Sequence, residues 1–312
     1  MWKKPLALLG ASALVCAGEM ARELSTFRVR RYREEIPGME RGSKIRMVFL
    51  SDLHGKEYGR ENRRLLEQVE REEPDCILVG GDMLTRTQPE TDRTAAALMR
   101  RLAAVAPVYA ANGNHEQKMK ENRRQYQDRY ERYRDALMGA GVHLLENETC
   151  LFQKGSFQAA LTGLEIPLSC YSHFGREKLQ TEEIKRRIGE PEGEEYHILL
   201  AHNPACMDAY WDWGADLVLS GHLHGGVVRL PLAGGVITPQ MQLFPRYSGD
   251  MYKRSEAVWS AGGWEPTQSM SVSTIWLSSS AFPLQVNRPK AGAPGTRPLQ
   301  EPPPRCGSRC SW

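Results

Sequence analysis

The sequence predicts an α/β fold, and two observations carry that reading. Between residues 44 and 144, short apolar runs alternate with longer segments of helical period. Three of those runs end on small residues followed by Asp, Asn or His. In an α/β sheet, ligands bind in the crevice beyond the carboxyl ends of the strands.

The elements follow in order. Ile45 to Leu50 reads as a buried strand ending at Ser51-Asp52. Arg60 to Glu72 reads as a helix with Leu65, Leu66 and Val69 on one face, and Pro74 stops it. Cys76 to Val79 is a second strand, ending at Gly80-Gly81-Asp82, and Thr91 to Ala104 a second helix. Val108 to Ala111 is a third strand, ending at Asn112-Gly-Asn-His115. Glu116 to Met138 is expected as one long charged helix, on which Tyr126, Tyr130 and Tyr133 form a stripe. The stripe reads as a packing face, with a substrate groove as the alternative. Shorter strands are expected at 142–144, 157–163, 197–201 and 217–220, with a helix from Arg176 to Arg187.

Bulk properties exclude some classes. A net charge of +3 with interleaved signs is too small to imply nucleic-acid binding. The cysteine count, seven, is odd and forms neither a disulfide framework nor a zinc pattern. Cys76 sits in an apolar run and reads as a buried thiol. Lys3 and Lys4 precede an uncharged stretch, 5–18, shorter than the ~20 residues of a comfortable membrane span. That stretch has the length of a signal-peptide h-region but no clean cleavage site. Residues 1–20 are therefore expected to be a short hydrophobic anchor, making the protein membrane-associated, and 21–43 a linker. The side of the membrane stays open, because Lys3 and Lys4 oppose a cluster of arginines between Arg22 and Arg33.

Five segments carry chemistry: Asp52-Leu-His54, Gly81-Asp82, Gly113-Asn-His-Glu116, Ala201-His202-Asn-Pro204 and Gly221-His-Leu-His224-Gly-Gly226. Carboxylates, imidazoles and one amide suit Mn, Fe, Zn or Co, and the absence of cysteine argues against structural zinc. Each motif alone is weak, and a lone histidine is usually a surface or core residue. His143, His173 and His197 get that structural reading, and Lys56 and Arg60 that of a solvated loop.

Together, in this order, the five segments resemble the signature of the calcineurin-like metallophosphoesterase superfamily, in particular its membrane-associated YkuE-like and YaeI-like bacterial phosphohydrolases. The resemblance covers residues 44–257. It implies a four-layer α/β/β/α sandwich and a dinuclear centre of two divalent ions with a bridging hydroxide. It implies that Asp52, His54, Asp82 and His224 hold one ion, and that Asp82, Asn114, His202 and His222 hold the other. Asp82 would bridge, and His115 would act on the leaving group, as an imidazolium, without binding metal. Glu116 is either a partner that orients His115 or an ordinary first-turn residue. Purple acid phosphatases carry a tyrosine three residues after the bridging aspartate; Thr85 stands there, so a tyrosinate-bound ferric site is not expected. The implied substrate is a phosphomonoester or phosphodiester, with a lipid-linked phosphate as one candidate. The alternatives are an inactive scaffold of the same fold and a soluble nucleotide phosphodiesterase. No nucleic-acid partner is expected, and the oligomeric state stays open.

Residues 258–312 change character and carry many prolines. Related sequences continue with text like Val-Val-Ser-Arg-Gly-Leu-Gly-Thr-His where this chain reads Val258-Trp-Ser-Ala-Gly-Gly-Trp-Glu-Pro-Thr267. One choice of codons, GTG TGG TCA GCA GGG GGC TGG GAA CCC ACA, encodes the latter in one frame and the former from its third base. The expectation is a frameshift near residues 253–258 and an atypical, unstructured tail beyond it.

Overall fold

The computed structural model describes residues 26–36, 39–172, 177–193 and 195–222, and the segments 228–230, 234–237, 250–254, 257–261 and 271–279. The strands are β1 (Arg28–Ile36), β2 (Lys44–Leu50), β3 (Cys76–Val79), β4 (Val108–Ala110), β5 (His143–Leu144), β6 (Thr149–Lys154) and β7 (Phe157–Leu164). They continue as β8 (Tyr196–Ala201), β9 (Leu217–Ser220), β10 (Val228–Leu230), β11 (Gly234–Ile237), β12 (Asp250–Arg254), β13 (Ala257–Ala261) and β14 (Ser271–Ser279). The helices are α1 (Arg63–Arg71), α2 (Glu90–Ala103), α3 (Asn114–Glu121), α4 (Arg123–Tyr126), α5 (Arg129–Gly139), α6 (Thr181–Ile188) and α7 (Met207–Trp213).

Two mixed sheets run in the orders β1-β14-β2-β3-β4-β5 and β12-β13-β9-β8-β7-β6, and β10 and β11 form a hairpin. The period of two along the strands explains why they stack. Met47 and Phe49 of β2, Leu78 of β3, Ile198 and Leu200 of β8, and Leu217 and Leu219 of β9 share one apolar core between the sheets. The alternate residues of the first sheet, among them Val48, Leu50, Ile77 and Val79, pack on Leu65, Leu98, Met99 and Leu137 of the helices outside it. Leu199 and Val218 face Ile184 and Tyr210 of the helices outside the second sheet. Three cores thus separate helix, sheet, sheet and helix layers, the α/β/β/α order that the resemblance implies.

Several expectations need correction. The long helix over Glu116–Met138 is three helices, broken at Asn122 and at Gln127, which has φ 54°. Residues 121–125 are wholly polar, so no apolar stripe holds the segment straight, and the Asn122 side chain caps the Lys118 carbonyl instead. Tyr126, Tyr130 and Tyr133 are buried in the first sheet's helical layer, as the packing reading expects, and Tyr126 also lines a cavity on that side. The helix expected from Arg176 begins at Thr181. The linker region contains β1, whose many charged residues (Arg28, Arg30, Arg31, Arg33, Glu34 and Glu35) protect a sheet edge and hide its strand character. The tail region contains β13 and β14. β14 fills the position between β1 and β2 because Val272, Thr274, Ile275 and Trp276 suit a half-buried pleat. The expected anchor lies outside the described residues, among which no helix is long and apolar enough to cross a membrane.

Candidate metal centre

The candidate residues converge at the carboxyl ends of both sheets. Asp52 and His54 follow β2, Asp82 follows β3, Asn114 and His115 open α3 after β4, His202 follows β8 and His222 follows β9. His54, Asp82 and His115 present ligand atoms within 4.8 Å of one another, and so do Asp82, His202 and His222. Asp82 therefore belongs to both groups. His224 lies outside the described residues.

The loops are held in uncommon conformations. Asp52, His54, Asp82 and His222 all have positive φ, between 51° and 70°. Such backbone costs of order 1–3 kcal/mol per residue and collects at functional sites. Neighbouring glycines make it possible: Gly81 has φ 91°, and a Cβ on Gly113 would collide with the Asp82 carboxylate.

Hydrogen bonds tie the loops together. The His222 amide donates to both Asp52 oxygens, at 2.9 and 3.1 Å, and joins the two sheets. Ser51 Oγ donates to Asp52 Oδ2, and the His115 amide donates to Asp82 Oδ1 at 2.8 Å. Glu116 does something the sequence did not suggest. Its buried carboxylate accepts the amides of Asp82 (2.9 Å), Met83 (2.9 Å) and Gly113 (3.1 Å), and so fixes the Asp82 loop rather than the His115 ring. Burial, then the Asp82 charge, pushes its carboxyl up to about 8, against the pull of those amides.

His202 supplies the test of whether a cation fits. Its Nδ1 lies 2.7 Å from the Gly80 carbonyl and so carries the donated proton. In the neutral ring, Nε2 then aims a lone pair at two carboxylates, 3.1 Å from Asp82 Oδ2 and 3.8 Å from Asp52 Oδ1. Acceptors facing acceptors in a buried site need a positive charge between them. Without a metal, a proton serves: burial opposes it, but Asp82 and Asp52 raise His202 to about 10. Burial alone would raise Asp82, yet His202 and the other imidazoles hold it well below the usual carboxylate range. Asn114 Oδ1 is a second buried acceptor with no hydrogen-bond partner among the described residues. The donor set of carboxylates, imidazoles and an amide oxygen matches borderline divalent ions.

His115 sits at the rim. Its ring centroid lies 5.1 Å from that of His54, and its Nδ1 accepts the Arg86 amide at 3.0 Å. Arg86 Nη1 lies 3.3 Å from Nε2. Burial lowers His115 to about 4 in the metal-free protein, and because Nδ1 accepts the Arg86 amide, the proton of the neutral ring sits on Nε2. Sequence reasoning missed Arg86, and also Tyr171, whose ring meets the His222 ring edge-on at 4.9 Å. Neither lies in a motif, and only the fold brings them in. His143 stacks on Tyr109 and His197 is buried, in keeping with structural roles; His173 lies outside the described residues. Arg60 is exposed and Lys56 is half-buried.

A sheet crevice lined by paired carboxylates and imidazoles defines a candidate metal-binding α/β protein. The calcineurin-like phosphoesterase family model matches residues 45–226, and the chain belongs to that family. Phosphodiesterase YaeI of Escherichia coli (strain K12) is 26% identical over 198 residues, 62% of this chain and 66% of that protein. An uncharacterized metallophosphoesterase of Aquifex aeolicus (strain VF5) is 28% identical over 203 residues, 64% of this chain and 71% of that one. YkuE of Bacillus subtilis (strain 168) is 46% identical, over 44 residues, 14% of this chain and 15% of that one. The chain spans just under two thirds of YpbG of Bacillus subtilis (63%) and of YaeI (66%). Among solved structures, the phosphopantetheinyl hydrolase PptH of Mycobacterium tuberculosis aligns with a TM-score of 0.45 at 16% identity, covering 81% of this chain and all of that one. A dimetal phosphatase of Danio rerio aligns with a TM-score of 0.41 at 13% identity, covering 75% and 93%. At those scores the structural likenesses add nothing to the family assignment.

Proposed function

We propose that the protein hydrolyses a phosphomonoester or phosphodiester with two divalent metal ions. The observation that carries this reading is the buried opposition of His202 Nε2 to the Asp82 and Asp52 carboxylates, which a cation resolves. Asp52, His54, Asp82 and His224 would hold one ion, and Asp82, Asn114, His202 and His222 the other. Bound there, two such ions clamp phosphoryl oxygens and lower the pKa of water.

The chain's own residues do the rest. Glu116 and Ser51 fix the two aspartates before any ion arrives, so little reorganisation remains. The Asp52 link to the His222 amide keeps the two sheets' ligands in register. His115, neutral with its proton on Nε2, offers a hydrogen bond to the departing oxygen from outside the ligand set. A membrane location through residues 1–20, with a lipid-linked phosphate among the candidate substrates, rests on the uncharged stretch 5–18 alone; partition of the full-length protein on cell fractionation tests it.

Calorimetric titration of the metal-free full-length protein with Mn²⁺ tests the metal reading. Two ions per chain are expected, with binding weakened at least about tenfold in His202→Ala. No saturable binding in a folded protein overturns the proposal.

A further inference from the structure

A cavity of ≈ 520 Å³ is lined by Arg86, Gln125, Tyr126, Gln127, Arg129 and Arg132 among others, and Arg86 links it to His115. That volume is within the ~300–1,000 Å³ of small-molecule sites. No acidic side chain lines it. Its three guanidinium groups are not equivalent. Arg129 is held by Asp92 at 2.8 and 2.9 Å, lies over the Tyr126 ring and donates to the Arg86 carbonyl at 2.7 Å. It is a fixed wall that braces the Arg86 backbone. Arg132, on the rim, pairs with Asp128. Arg86 pairs with no carboxylate among the described residues, and its Nη1 reaches the His115 ring at 3.3 Å. Its unneutralised charge therefore stands where the cavity meets the group that faces the leaving oxygen.

We propose that this cavity receives the leaving-group half of the substrate and that this half carries a second anion, a carboxylate or a phosphate. The inference rests on the phosphoesterase reading and on His115 lying at the leaving-group side. The planar Arg86 guanidinium, with no carboxylate partner among the described residues, matches either anion in a two-point hydrogen bond. Amides and arginines do not solvate an acyl chain, so a fatty tail bonded directly to the leaving oxygen does not fit here.

The test uses the Mn²⁺-loaded full-length protein and two substrate pairs. One pair is 3-carboxyphenyl phosphate against its neutral isostere 3-carbamoylphenyl phosphate. The other is propane-1,3-diol bisphosphate against propyl phosphate. The charged member of at least one pair is expected to have a kcat/KM about tenfold higher, the scale of one charge-assisted hydrogen bond. The favoured pair tells carboxylate from phosphate. Arg86→Gln should collapse that ratio whatever it does to the overall rate, while Arg63→Glu, on an exposed helix face, should leave it in place. Equal rates within both pairs, or a ratio untouched by Arg86→Gln, overturn the inference and leave the phosphoesterase reading standing. Absence of metal-dependent turnover on all four substrates overturns both.

Discussion

β2 and β14 are hydrogen-bonded neighbours in one sheet, yet they were built to different standards. In β2 every residue from Met47 to Leu50 is buried and apolar, the alternate side chains serve two cores, and the strand ends on Ser51-Asp52. β14 also buries its middle, but Ser273 Oγ and Trp276 Nε1 are buried with no hydrogen-bond partner among the described residues. Each such atom costs ~1–3 kcal/mol. β14 lies in the region expected to follow a frameshift, and it carries none of the site residues. The contrast shows that β-prone residues suffice to fill a gap in the sheet, while the ligand-aiming strand end belongs to β2.

The largest expected effect is at the end of β3. Asp82→Asn removes the carboxylate shared by both ligand groups and should lower metal-dependent kcat/KM by at least about a hundredfold, since even residues that only support ligands reach that scale. Activity within fivefold of the parent would dissolve the distinction between ligand-bearing and gap-filling strands. His115→Ala should cost about 10²–10⁴ in kcat while leaving Mn²⁺ stoichiometry intact. Loss of one bound ion would instead make His115 a ligand, which its place in the His54–Asp82 group also permits.

Stability sharpens the contrast. Met47→Ala, at a fully buried position of β2, should cost about 2–5 kcal/mol in urea unfolding. Ser273→Ala, equally buried in β14, should be neutral or stabilising, because it deletes an unsatisfied hydroxyl. If both cost alike, β14 is packed as carefully as β2. Replacing the chain from residue 258 with the shifted-frame text should raise the melting temperature. The coding DNA decides the matter independently: codons incompatible with that frame end the frameshift idea.

His115 gives a smaller, pH-dependent effect in the metal-free protein. Its folded value, about 4, lies below its ordinary value, 6.5, so between those limits the unfolded chain binds more protons. The His115 contribution to stability should therefore rise as pH rises from about 4 to 6.5, and be lost on acidification through that window. The difference in unfolding free energy between the parent and His115→Asn, measured across it, should show that slope; a flat difference would mean the ring is not desolvated.

Much of this was legible in the sequence where local pattern and tertiary role agree. Cys76–Val79 and Leu217–Ser220 read as strands because short apolar runs have nowhere to go but a core. Asp52, His54, Asp82, His115, His202 and His222 could be named because their segments, in that order, resemble the metallophosphoesterase signature, and the first three segments follow predicted strands. β1 was not legible, since edge protection makes a strand look like a charged linker. The breaks at Asn122 and Gln127 were not, because docking of Tyr126 and Tyr130 bends text whose helix propensity is continuous. Arg86 was invisible for a related reason: it reaches His115 only through the packing of α2, α4 and α5 around Arg129.

The central claim is hydrolysis at a metal centre built around Asp82. Release of nitrophenol from mono- and bis-(4-nitrophenyl) phosphate by the full-length protein, with and without Mn²⁺ and beside Asp82→Asn, tests it most directly. The account predicts turnover that requires the metal and disappears in the variant. A folded protein that binds Mn²⁺ yet turns over neither ester, or one whose turnover survives both metal removal and Asp82→Asn, would contradict it.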